Sequence, residues 1–373
     1  MEDRNGHLDA HREIEDHLYM SAPPLAAATR AVLVAALALA AGTSVTIAAG
    51  HADLIGKSKG TEVLFLGTAG GPPLRLDRSE PSTLLIVGGR QYLIDCGIGT
   101  MRRMLRAGVK SEQVRTVFFT HLHADHDLGL ADVMANDFFR QSVIRRPEPI
   151  NIYGPPQTRE LVEAAFHFIT VGFRPFENLP QPTNGSYRSP FVTHEFSRGG
   201  IIFQDDKIRV TAAENSHYAL MPPQRRGQFK SFSYRIETPH GVIVFTGDTG
   251  PSEAVEQLAR GADVLVAEAN SRDPQDIAKV TASMAARSHW SSEQAKAFRA
   301  HFEVEHLDTH EIGHLAEKAQ VKAVLLYHYV PGDKADQAAY VAGVRTSFSG
   351  PVFAPDDLDR FCLRGGGLSR CPD

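Results

Sequence analysis

Thr120-His121-Leu122-His123-Ala124-Asp125-His126-Asp127 follows directly on the apolar run Val114-Arg115-Thr116-Val117-Phe118-Phe119. The run reads as a buried strand, and the histidine segment as the turn that leaves it. At these spacings His121, His123, Asp125 and His126 can converge on one small volume. Imidazole and carboxylate donors suit a divalent ion such as zinc. Four donors from one loop exceed what a single catalytic ion needs, because such an ion keeps one position open. The segment therefore predicts a two-metal site.

Working outward, strands alternate with glycine turns and helices. Thr61 to Leu66 reads as a strand ending in Gly67-Thr68-Ala69-Gly70-Gly71, and Ser82–Val87 with Gln91–Asp95 flank the hairpin signal Gly88-Gly89. A helix over Thr100–Ala107 closes at Gly108. A second round brings a strand at 150–153, a helix at 158–169 and an extended Pro-, Gly-, Asn- and Ser-rich loop at 170–200. Strands follow at 201–213, 230–237 and 241–246, then a helix at 252–259 and a strand at 263–267. A helical region at 291–301, a helix at 309–319 and the strand Ala323–Tyr327 complete the pattern. Two such rounds predict a layered α/β domain with helices outside two sheets.

Composition narrows the function classes. The chain has 373 residues, 42% hydrophobic and 22% charged, which supports a large core and excludes disorder as the main state. A net charge of −5 argues against a non-specific polyanion binder, although a local basic patch is compatible with it. Three cysteines exclude a disulfide scaffold and a Cys-rich zinc module. Cys362 and Cys371 are either a disulfide near the C-terminus or two thiols in a loose tail, and Cys96 reads as a buried small residue.

Residues 1–52 are expected to stand apart from a domain over 53–373. Positions 31–50 carry no charge, Arg30 precedes them, and Gly50-His51-Ala52 offers small residues at a cleavage site. This predicts a signal peptide and a periplasmic or secreted protein, with Met20 as an alternative start. An uncleaved anchor and a buried helix are the other readings of the same run.

Beyond these patterns, His121-x-His123-x-Asp125-His126 resembles the signature of the metallo-β-lactamase superfamily. His217, Asp248 and His328 follow strands in the order that superfamily expects. The resemblance spans residues 61–360 and implies a four-layer αββα sandwich. It also implies that His121, His123 and His217 hold one zinc ion, that Asp125, His126 and His328 hold a second, and that Asp248 bridges. Manganese or iron is compatible with the same donors. Phe65–Thr68, Arg78-Ser79, Leu93–Thr100, Ala262–Ala269 and His306–Ala316 are similar to motifs of ribonuclease Z and its arylsulfatase and phosphodiesterase relatives. Carried over, Glu268 and His306 form a proton-handling pair, and Asp125 orients the nucleophile while binding metal.

The resemblance has departures. Ile98 stands where an acidic residue is usual, Met101 where glutamine is common, and Asp308 where Thr or Ser is usual. The loop at 170–200 carries Arg174, Arg188 and Arg198 but no lysine, and Arg225, Arg226 and Lys230 form only a short basic cluster. With the export signal, this favours a small-molecule ester. The expected reaction is hydrolysis of a phosphodiester or aryl sulfate by a metal-bridging hydroxide. A tRNA 3′-processing endonuclease of the ribonuclease Z type, with nucleic acid as substrate, is the first alternative. A lactone or β-lactam hydrolase and a non-catalytic scaffold follow it. No membrane contact beyond the N-terminal anchor is expected, and a homodimer is compatible with the resemblance.

Overall fold

Strands that are apolar at nearly every position must bury both faces. β1 (Thr61–Gly67) does so by strict alternation: Val63 and Phe65 point to one core, Leu64 and Leu66 to another. β11 (Val264–Glu268) and β12 (Val324–Tyr327) repeat the device, with Val264, Val266, Leu325 and Tyr327 facing the first core and Leu265, Ala267, Val324 and Leu326 a third. Three cores between four layers make an αββα sandwich. The computed structural model describes residues 60–71, 74–144, 148–176, 190–225, 227–272, 274–330 and 337–372. The expected signal segment at 1–52 lies outside them. Among the described residues no helix is long and apolar enough to cross a membrane.

The first sheet has the order β15-β14-β1-β2-β3-β4-β5-β6 and the second β13-β12-β11-β10-β9-β8-β7. Here β2 is Ser82–Val87, β3 Arg90–Ile94, β4 Val114–Phe118, β5 Ile150–Gly154 and β6 Phe191–Glu195. β7 is Gly200–Gln204, β8 Arg209–Glu214, β9 Phe232–Thr238 and β10 Gly241–Phe245, with β13 at Val352–Phe353, β14 at Arg360–Arg364 and β15 at Gly367–Arg370. Helices α1 (Thr100–Arg106), α2 (Ala124–Asp127), α3 (Leu130–Ile144) and α4 (Thr158–Phe173) belong to the first half. In the second, α5 is Glu253–Ala259, α6 Pro274–Ser288, α7 Ser292–Val304, α8 Thr309–Lys318 and α9 Gln337–Val344. The β2–β3 hairpin turns where expected, with Gly88 at φ 56° and Gly89 at φ 82°, the pair of left-handed residues a tight hairpin requires.

Three stretches differ from the sequence reading. The loop expected at 170–200 contains the end of α4 and the whole of β6, whose five residues follow Pro190 and are hidden by the polar composition around them. The expected strand at 201–213 is a hairpin, because Asp205 Oδ1 accepts the Lys207 and Ile208 amides at 2.7 and 2.9 Å and turns the chain. Residues 274–304 form two helices rather than one short helical region. Of the two readings left open for the C-terminus the structure takes the disulfide: Cys362 and Cys371 are joined on the β14–β15 hairpin, and Cys96 is free and buried as expected.

Candidate metal centre

Each side chain of the candidate centre leaves the C-terminal end of a strand. Segment 121–126 follows β4, His217 follows β8, Asp248 follows β10, Glu268 ends β11 and His328 follows β12. Strand carboxyl ends are where α/β sheets leave room for ligands. The donor atoms of His121, His123 and His217 lie within 4.8 Å of one another, as do those of Asp125, His126 and His328. Asp248 stands between the two triads: its Oδ2 is 3.1 Å from His328 Nε2, 3.4 Å from His126 Nε2 and 3.8 Å from His121 Nε2. All seven side chains singled out as ligands are thus brought together, and all but His123 are buried.

Backbone contacts explain the orientation. Asp95 Oδ1 accepts the Thr120 amide at 2.8 Å, and its Oδ2 lies 2.9 Å from both the Thr120 hydroxyl and His126 Nδ1. His121 Nδ1 meets the same hydroxyl at 3.1 Å, and His217 Nδ1 donates to the Glu305 carbonyl at 3.0 Å. Each of these rings is tied to the scaffold by Nδ1, which frees Nε2 for the centre. Asp95 and His328 adopt left-handed backbone, at φ 55° and 57°, a strained choice for such residues that the surrounding hydrogen bonds hold in place. Gly71 lets the chain press on the centre: its amide donates to Asp125 Oδ2 at 2.9 Å, and a Cβ there would fall 2.3 Å from the Asp125 Cβ.

His121 Nε2, His126 Nε2 and Asp248 Oδ1 are buried without a hydrogen-bond partner. Such atoms are costly to bury unless something satisfies them. The donor set is nitrogen and carboxylate oxygen, so a pair of divalent cations fits. Electrostatics agrees. Burial keeps the His121 and His217 imidazoles neutral, His217 down to about 3, as ligands must be. Burial opposes charge on His126 and His328 as well. The Asp248 and Asp125 carboxylates outweigh it, raising His126 well above the usual imidazole range and His328 to about 10. The two carboxylates demand positive charge here, from protons on these rings or from bound cations.

Glu268 and His306 also meet. His306 Nδ1 is 2.7 Å from Glu268 Oε2, and Glu268 Oε1 accepts the Thr249 amide at 2.6 Å. Burial, reinforced by Asp248, pushes the Glu268 carboxyl well above its usual range, and burial holds the His306 imidazole low. Both directions favour the neutral form of each group. His306 Nδ1 is 3.9 Å from Asp248 Oδ2, so the pair borders the cluster.

Four participants escaped the sequence reading: Asp95, Thr120, Glu305 and His301. Asp95 carried a signal, a carboxylate at the end of an apolar strand. Glu305 acts partly through its carbonyl, which no residue pattern reveals. His301 lies with its Nε2 3.3 Å from His306 Nε2 and its Nδ1 2.7 Å from Glu305 Oε2. Of the departures, Ile98 is exposed and Met101 is buried in the core under α1. Asp308 caps α8. Lys230 pairs with Glu214 at 2.6 Å, and Arg225 lies over the Phe229 ring at 4.8 Å.

Residues 90–329 match the family model described as Beta-lactamase superfamily domain. A ribonuclease Z of Mycobacterium bovis (strain BCG / Pasteur 1173P2) is 29% identical over 307 residues, covering 80% of this chain and 97% of that protein. A ribonuclease Z of Mycobacterium sp. (strain KMS) is 30% identical over 311 residues, covering 82% and 97%. Among solved structures, the metallo-beta-lactamase fold protein YhfI from Bacillus subtilis superposes with a TM-score of 0.57 at 17% identity, covering 81% of this chain and 98% of its own. The short form of human tRNase Z gives 0.54 at 19% identity, covering 81% and 99%.

Proposed function

The chain belongs to the metallo-β-lactamase superfamily as a ribonuclease Z-like, metal-dependent hydrolase, and from there we propose that it cleaves phosphodiester bonds, with the 3′ end of a precursor tRNA as its substrate. The observation that carries the reaction type is the Glu268–His306 contact of 2.7 Å at the edge of the buried His/Asp cluster. The substrate class is supported by the relatives, whose whole length this chain nearly spans.

His121, His123 and His217 would hold one divalent ion, and Asp125, His126 and His328 the other, with Asp248 between them. Zinc is the ion that best suits these donors. When bound, such a pair supplies Lewis acidity and a water of lowered pKa. The chain does the rest. Asp125, fixed by the Gly71 amide, orients the attacking group. Glu268 Oε2, 2.7 Å from His306 Nδ1, fixes the ring. His306 Nε2 is then placed to deliver a proton to the departing oxygen, a role of the size general acids usually play, about 10²–10⁴-fold.

A second reading has its own support. The Cys362–Cys371 disulfide suits an oxidising compartment, as does the uncharged run at 31–50, and an exported protein meets small phosphate or aryl sulfate esters rather than tRNA. One experiment separates the two. The zinc-loaded protein is assayed in parallel on a precursor tRNA, bis(p-nitrophenyl) phosphate, p-nitrophenyl sulfate and a chromogenic β-lactam, with metal measured on the same sample. Clean 3′ cleavage of the tRNA establishes the first reading. Fast phosphate or sulfate ester cleavage with inert tRNA replaces it with the second, and preference for the lactam sinks both. Sedimentation of the same sample reads whether the homodimer belongs to this picture.

A further inference from the structure

α6 and α7 lie between Glu268 and His306, the two halves of the proton-handling pair. Among its described residues α7 buries none fully, which is unusual for a helix that reaches an enclosed site. Its aromatic residues Phe298 and Phe302 are one helical turn apart and so share a face. The Phe302 ring stacks on His306, with centroids 5.5 Å apart and planes at 22°. Phe298 packs on Phe302 at 4.7 Å, and Trp290, in the turn before α7, packs on Phe298 at 4.9 Å. On the other side His306 stacks over His328 at 6.0 Å and 22°. The rings form a continuous ladder from the metal cluster out to the tip of the helical pair. Phe302, Phe298 and Trp290 are all partly open to solvent.

We propose that this ladder is a stacking subsite for a flat aromatic ring that the substrate carries next to its scissile ester. Every aromatic ring has a π face, so such a subsite accepts a nucleobase or an aryl group alike. The location is what assigns it. A ring lying against Phe302 is held beside His306, so the ester attached to it reaches the cluster. The inference deepens the phosphodiesterase reading and rests on the same site.

The chain holds a single tryptophan, so its emission reports on Trp290 alone. The zinc-loaded full chain is titrated with adenosine 5′-monophosphate, phenyl phosphate and ribose 5-phosphate, which carries no aromatic ring, following that emission and, by calorimetry, the affinity. An aromatic ligand should bind about 10-fold more tightly than ribose 5-phosphate and change the emission, as a stacked ring does. Phe298→Leu with Phe302→Leu keeps the apolar volume, and should erase that preference while leaving metal content and circular dichroism unchanged. Tighter binding of the nucleotide than of phenyl phosphate names a nucleobase as the ring; the reverse names an aryl ester. Equal binding of the aromatic ligands and ribose 5-phosphate by the unmodified protein overturns the subsite, and so does a double variant that keeps the preference. Should the variant fail to fold, the comparison on the unmodified protein still decides. Hydrolysis of bis(p-nitrophenyl) phosphate by the same sample keeps the two failures apart. Ring-selective binding without hydrolysis sinks the proposed reaction and spares the subsite, whereas hydrolysis without ring selectivity does the opposite.

Discussion

Asp248 meets three of the imidazoles within 3.8 Å through one oxygen, and its other oxygen has no hydrogen-bond partner. A carboxylate placed so is the joint of the two triads. Asp248→Ala should therefore lose bound metal and hydrolysis together, as read by elemental analysis of the purified variant beside its ester turnover; a fully metallated, active variant would break the bridging assignment. Asp95 works one step further out, through its 2.9 Å contact with His126 Nδ1. Asp95→Asn should keep the fold but weaken metal binding by about 10–100-fold, the usual consequence of losing such a support, as measured by competition with a chelator. His306 touches neither triad as a designated ligand. His306→Ala should spare metal content and slow turnover by about 10²–10⁴-fold for alkoxide-like leaving groups, and far less for p-nitrophenolate. Equal losses on both would show that His306 supplies position rather than a proton.

Among the elements, α8 shows how a departure from the family pattern can be structurally complete. Asp308 accepts the Glu311 amide at 2.9 Å, and the Glu311 carboxylate accepts the Asp308 amide at 2.9 Å, a reciprocal cap two residues after His306. Asp308→Ala should cost about 1 kcal/mol in urea unfolding, whereas Asp308→Ser should keep most of that stability because its hydroxyl can make the same bond. Equal losses for both would mean that Asp308 acts through charge and not as a cap. Elements like this were legible because caps, glycine turns and apolar runs are local. β4 and β12 could be read from their apolar runs, and Gly88-Gly89 announced its hairpin. β6 could not be read, since five residues in a polar stretch earn their strand only by pairing with β5. α6 was equally obscure, because it packs on α7 rather than on a sheet and shows little apolar face.

For the whole molecule, the three cores follow from alternation within single strands, so the layered architecture was readable before any contact was known. Of the candidate cluster, His121, His123, Asp125 and His126 were readable from their spacing after an apolar run, whereas His217, Asp248 and His328 were singled out only through the family resemblance and their places after strands. What lay out of reach were contacts made through backbone atoms, such as His217 to the Glu305 carbonyl, and the ring ladder, which depends on how two helices meet. The C-terminal disulfide bears on where this molecule works. Cys362 lies in β14 and Cys371 just beyond β15, nine residues apart, so the bond closes the edge hairpin of the first sheet on itself. A closed loop of that length removes chain entropy worth about 2–3 kcal/mol from the unfolded state. Reduction, or Cys362→Ser with Cys371→Ser, should therefore lower the melting temperature by several degrees without touching metal content. Thiol counting then reads the compartment. Protein alkylated at lysis and unfolded without reductant should label at one of its three cysteines, the buried Cys96, if it matured under oxidising conditions. Labelling at all three would place the chain in a reducing compartment, remove the support for the exported-ester reading, and leave precursor tRNA as the substrate within reach.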